Sequence, residues 1–172
     1  MTIEELFKDK TVKAKEKTDI ISKWILDGSL PTDELIAFAE KAKDPVKGTC
    51  VEALEYATKQ NPGIADETIL TFVTATLPEK APRIKWESAK VIGNIAHLFP
   101  DQLENPISGL LANTDHEGTV VRWSAAFALG EILKLKTKYN TDLLPALESI
   151  SEKEEKNSIK KIYLDAIKKT KK

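Results

Sequence analysis

A single cysteine, Cys50, stands among 172 residues, together with only seven glycines, eight prolines, two histidines and two arginines, Arg83 and Arg122. One thiol forms no internal disulfide and builds no thiolate zinc site by itself, so the fold has to stand without cross-links, and a reducing cytoplasm is the expected setting. Glycine and proline this sparse exclude collagen-like and low-complexity chains. An excess of either charge is also missing. The 26 Lys and Arg against 27 Asp and Glu leave a formal charge of -1, and no overall field recommends nucleic acid, a membrane or acidic ligands. No apolar run approaches the roughly 18 to 20 residues that cross a bilayer. The opening Met1-Thr2-Ile3-Glu4-Glu5-Leu6-Phe7 carries acids where a secretory leader has a basic region, so no export signal is expected.

What is present is 41% hydrophobic and 31% charged residues. That suffices for one core burying about two-thirds of the surface of the unfolded chain. A single domain over 1–172 is expected, acting as a monomer.

The organisation lies in a repeat. Ile84-Lys85-Trp86-Glu87-Ser88-Ala89-Lys90-Val91-Ile92-Gly93 aligns with Val121-Arg122-Trp123-Ser124-Ala125-Ala126-Phe127-Ala128-Leu129-Gly130 at a spacing of 37 residues, with apolar, basic, Trp, small and Gly positions in register. A copy without the Trp and the final Gly starts at Val46-Lys47, 38 residues upstream of Ile84. A degenerate copy starts at Ile159-Lys160, 38 residues beyond Val121, and reads as a terminal cap. Within a copy, Val121, Ala125, Ala128, Leu129, Ile132 and Leu133 form one broad helical face. A break and a second apolar helix follow each time: Asn61-Pro62-Gly63 before Asp66 to Thr76, Pro100-Asp101 before Leu103 to Ala112, and Tyr139-Asn140-Thr141 before Asp142 to Ile150.

Asp142 and Asp101 are expected N-caps, with Pro145 in the first turn after Asp142. Pro106 would sit better as the first residue of a helix capped by Asn105, which leaves that start open by a turn. A looser pair precedes the repeats, Lys15 to Leu26 closed by Asp27-Gly28-Ser29, then Thr32 to Ala42 after Pro31. No strand pattern competes. The expected helix pairs are 14–43, 45–77, 82–113 and 118–151, with a capping helix at 155–169.

Units of this length, with an apolar-basic pair, small residues and Ala-Leu-Gly, resemble the HEAT and armadillo-like repeats, best in Val120 to Gly130 and in part in Asp44-Pro45-Val46-Lys47. The resemblance covers about residues 44 to 151 and implies an all-α fold, a right-handed α-solenoid of antiparallel helix pairs. It further implies a concave surface lined by the second helices and used to hold partners.

Trp86, Arg122, Trp123 and Phe127 are the candidate partner-binding residues. Trp86 and Trp123 share one repeat position beside Lys85 and Arg122, nearly opposite the main apolar face. Trp and Arg dominate binding hot spots, and a basic-aromatic stripe also stacks on bases. Equally, Trp123 and Phe127 at i, i+4 make a second apolar stripe that neighbouring repeats bury. Burial and exposure both remain open for the Trp pair. His97 and the Asp115-His116-Glu117 loop supply too few converging ligands for a metal. Deoxyhypusine hydroxylase, a HEAT-repeat metalloenzyme, is marked by several His-Glu pairs, and His116-Glu117 is the only one here. Cys50 takes the position of Ala125 and reads as core. No glycine-rich phosphate loop or nucleophile elbow occurs. Hence no catalytic residue, metal or cofactor is expected.

Charge is divided along the chain. Residues 44–117 carry six basic and 11 acidic groups, whereas residues from 118 onward carry 12 basic and seven acidic, ending in Lys168-Lys169-Thr170-Lys171-Lys172. The lysine tail reads as a solvated last turn favoured by the helix dipole. The expected function is non-enzymatic binding of a macromolecule, protein being the partner. The alternative is a nucleic-acid binder related to the HEAT-like alkylpurine DNA glycosylases, whose cationic groove a near-neutral chain meets poorly.

Overall fold

The computed structural model describes all 172 residues, and it contains helices and no strand. Three helices precede the repeats: α1 (Ile3–Lys8), α2 (Ala14–Leu26) and α3 (Thr32–Lys41). The repeats follow as α4 (Asp44–Gln60) with α5 (Glu67–Thr76), α6 (Pro82–Ile95) with α7 (Glu104–Leu111), and α8 (Thr119–Lys134) with α9 (Asn140–Lys153). Helix α10 (Asn157–Thr170) closes the array. The short α1 escaped the sequence reading because six residues give too few turns for a period. It packs Ile3 and Leu6 into the core.

Helix starts follow local chemistry in part. Asp66 caps α5, its carboxylate accepting from the Ile69 amide at 3.0 Å. Asp142 is not a cap. Helix α9 already begins at Asn140, after Tyr139, which places Asp142 inside its first turn and Pro145 in the helix. Asp101 and Asn105 do not cap α7 either, since that helix starts at Glu104 after Leu103 and takes Pro106 into its first turn. In both places the tertiary fit sets the boundary: Leu103 and Leu143 are fully or almost fully buried.

The helices form two layers. Helices α2, α4, α6, α8 and α10 lie side by side and pack along their lengths, whereas α3, α5, α7 and α9 meet one another sparsely. A stack whose one layer is closely spaced and whose other layer is splayed curves toward the close layer. The inner, concave side is therefore formed by the helices that open each repeat. This corrects the expectation that the second helices line it.

Close spacing requires small side chains where helices cross. A Cβ on Gly93 would collide with the Phe127 ring, and one on Gly130 would lie 3.3 Å from the Ala166 methyl. Ala53, Val91, Ala128 and Ala166 recur at one repeat position and are buried in every copy. Together with the larger side chains they make one continuous core from Ile3 to Ile167.

The basic residue of each motif has a structural use. Lys47 reaches Glu79 at 3.1 Å; Lys85 donates to Asn113 Oδ1 at 3.1 Å and to the Leu77 carbonyl at 3.2 Å. Arg122 Nε meets Glu154 at 2.9 Å, and its Nη1 donates to the carbonyls of His116 and Glu117 at 3.0 and 3.2 Å. Glu79, Asn113 and Glu154 each sit in the loop that enters the next inner helix. The motif thus fastens one repeat to the following one.

Two stability measurements check this packing. Gly93→Ala should cost about 1–3 kcal/mol in urea unfolding through overpacking against Phe127, and in a Phe127→Ala background the same change should be neutral or stabilising. Glu154→Ala strands a mostly buried guanidinium and should cost about 3 kcal/mol, while Glu79→Ala, at a more exposed pair, should cost about 1 kcal/mol or less.

Candidate partner-binding face

The solvent side of the inner layer is a stripe at i, i+4 and i+8 on each repeat helix, the spacing that keeps side chains on one helical face. Its positions are Gly48, Glu52 and Tyr56 on α4; Trp86, Lys90 and Asn94 on α6; and Trp123, Phe127 and Glu131 on α8. Apart from Gly48, none is fully buried.

The structure brings three of the four sequence candidates onto this stripe. Trp123 is 41% exposed. Its ring stacks on Phe127 with centroids 5.8 Å apart and planes 9° from parallel. Phe127 in turn sits against Gly93 of the neighbouring helix. A large aromatic surface is thereby held out of the core on a rigid support. Trp86 occupies the matching place one repeat earlier and is half-buried. Arg122 points elsewhere, committed to Glu154 and two loop carbonyls.

Beside the aromatics lies a polar seam that the sequence reading missed. Glu87 is only 2% exposed. Lys90 donates to its carboxyl group at 3.2 Å. Burial first, and then Glu52, push the Glu87 carboxyl up to about 7. Glu52 moves the other way: burial opposes its charge, but Glu87, Thr18 and the charge of Arg83, 3.5 Å away, hold it below the usual range. Lys90 also faces Glu55 at 4.0 Å, and burial of its ammonium is outweighed by Glu87 and Glu55, which raise its value. Asn94 donates to the Glu55 carbonyl and the Thr58 hydroxyl at 3.2 and 3.1 Å. The signal in the sequence was Glu87 itself, an acid at a motif position where the neighbouring copies have Thr49 and Ser124.

Cys50 and His116 have structural places. Cys50 is fully buried, and burial raises its thiol to about 12, far from a reactive thiolate. His116 Nδ1 accepts from the Gly118 amide at 2.9 Å and shapes the loop before α8. No three His, Cys, Asp or Glu side chains are grouped so as to hold a metal ion. No helix is long and apolar enough to cross a membrane.

No family model matches the chain. No curated protein matches it either. Solved structures do. A designed armadillo repeat protein, YIII(Dq.V1)4CPAF, in complex with the peptide (KR)4 is 21% identical with a TM-score of 0.73, over 89% of this chain and 69% of that one. A second, YIII(Dq)4CqI, gives 19% identity and a TM-score of 0.67 over 89% and 69%. Computationally designed armadillo repeat proteins for modular peptide recognition give 20% and 0.71 over 88% and 68%. The two-layer array of helix pairs is an armadillo/HEAT-like repeat solenoid.

Proposed function

We propose that this chain is a non-enzymatic scaffold that holds an extended segment of a partner protein along its inner face, with Trp123 as the anchor and Trp86 and Phe127 beside it. The observation that carries this reading is the exposure of Trp123 on the concave side while its ring remains stacked on Phe127. An aromatic side chain pre-ordered in a shallow groove loses little freedom on binding and buries much area, which is why such residues dominate interface energetics. The peptide-binding structures of like fold support a segment rather than a globular surface as the ligand. Acids on the stripe, Glu52 and Glu131, favour basic side chains in that segment. Arg122 supports the face from behind as an inter-repeat fastening. The lone buried thiol suits a reducing, cytoplasmic setting, and the chain acts as a monomer.

Panning a random peptide library against the chain, followed by binding assays on the selected peptides, tests this. Trp123→Ala should weaken binding about 30-fold, a loss of roughly 2 kcal/mol, and cost only about 1 kcal/mol of stability for the lost stacking. If the selected peptides bind that variant as well as the parent, Trp123 is not the anchor. If the chain instead binds oligonucleotides with affinity falling steeply in salt, and with loss on neutralising Lys168, Lys169, Lys171 and Lys172, the nucleic-acid reading replaces this one.

A further inference from the structure

The inner layer ends on α10, where the stripe changes character. Ala166 takes the place of Ala128, so Lys161 stands where α8 has Trp123, Asp165 where it has Phe127, and Lys169 where it has Glu131. All three side chains are exposed. Lys168 falls where α6 and α8 have Gly93 and Gly130, the glycines that admit the next inner helix. No helix follows α10, and a long charged side chain takes that place instead. The stripe that is aromatic and acidic on α8 is thus continued on α10 by lysines around a single aspartate. Lys161, Asp165, Lys168 and Lys169 enter no ion pair, whereas Lys171 turns away to Glu148 of α9 at 3.4 Å. Leu164, 49% exposed, lies one turn from both Lys161 and Lys168 and adds apolar surface beside them.

We propose that the segment held on the inner face has divided charge: basic residues over Glu52 and Glu131, an apolar residue against Trp123, and acidic residues on α10, held by Lys161, Lys168 and Lys169. This rests on the reading of the inner face as a partner groove and adds the direction of the segment, whose acidic end lies on α10.

Ligands of uniform charge fit this face worse. A segment basic throughout would bring its last residues against the lysines of α10. A nucleic-acid strand would carry its phosphates across Glu52 and Glu131, and both arginines are already occupied, Arg83 by Glu52 and Arg122 by Glu154. Juxtaposed like charges suppress such wrong partners. Exposed pairs between long side chains and carboxylates are individually weak, so they set register more than affinity. Affinity then comes from the aromatic anchor, and orientation from α10.

Labelled peptides test this at physiological salt, where charges more than about 8 Å apart are screened. Each peptide carries a lysine block, a central Leu-Trp-Leu and, at the other end, a glutamate or a serine block, and each is made in both chain directions. The glutamate peptide, in its better direction, should bind about tenfold tighter than the serine peptide. Lys161→Glu, Lys168→Glu and Lys169→Glu together should reverse that order, the three Lys→Gln changes should erase it, and Lys171→Ala should leave it intact. Equal binding of both peptides to the parent chain, or a preference that survives the triple reversal, overturns the proposal. So does an oligonucleotide that binds through the same lysines more tightly than the glutamate peptide. Trp123→Ala separates this from the anchor reading, because it should weaken both peptides and keep their ratio. A kept ratio without weakening refutes the anchor alone, weakening without a ratio refutes the divided charge alone, and no binding of any peptide refutes both.

Discussion

Everything in this molecule depends on how closely neighbouring inner helices approach. Glycine and alanine at the crossing points let α4, α6, α8 and α10 lie against one another, and the outer helices meet one another sparsely. Curvature results directly from that difference. On the face turned inward, residues from successive repeats stand in register. The molecule's stability is a sum over neighbouring contacts, as in any stacked array.

Polar groups divide the labour along the same repeat. The basic residue at the second motif position spans to the loop ahead, so Lys47, Lys85 and Arg122 set the spacing of the stack. The residue after it is free to vary: glycine where Arg83 lies over α4, tryptophan where the groove is aromatic. Stapling and recognition are therefore performed by adjacent residues of one helix, facing different directions. Glu52 belongs to both tasks, standing on the stripe of α4 while it pairs with Arg83 of α6 at 3.5 Å.

The repeat and the helix pairs were legible because period and apolar spacing are properties of the chain itself. Trp123 and Phe127 could be placed together from their i, i+4 spacing, yet whether they were buried depended on which layer was inside, and that is set by contacts 37 residues apart. Arg122 reads as a binding residue because sequence shows a guanidinium but not the Glu154 carboxylate, a further repeat along, that occupies it. The Asp142 and Asp101 caps failed for a related reason: buried Leu143 and Leu103 fix where those helices begin, against the local preference. The Glu52–Arg83 pair escaped because no local pattern marks side chains of successive repeats as neighbours.

The central claim is that the inner face, through Trp123, is where a partner segment lies. Fluorine NMR of the chain labelled with 5-fluorotryptophan reports Trp24, Trp86 and Trp123 separately. On addition of a peptide the chain binds, the account predicts a large shift of the Trp123 resonance, a smaller one of Trp86, and none of Trp24, which packs against the core on α2. A bound peptide that moves Trp24 or leaves both groove resonances in place would contradict it.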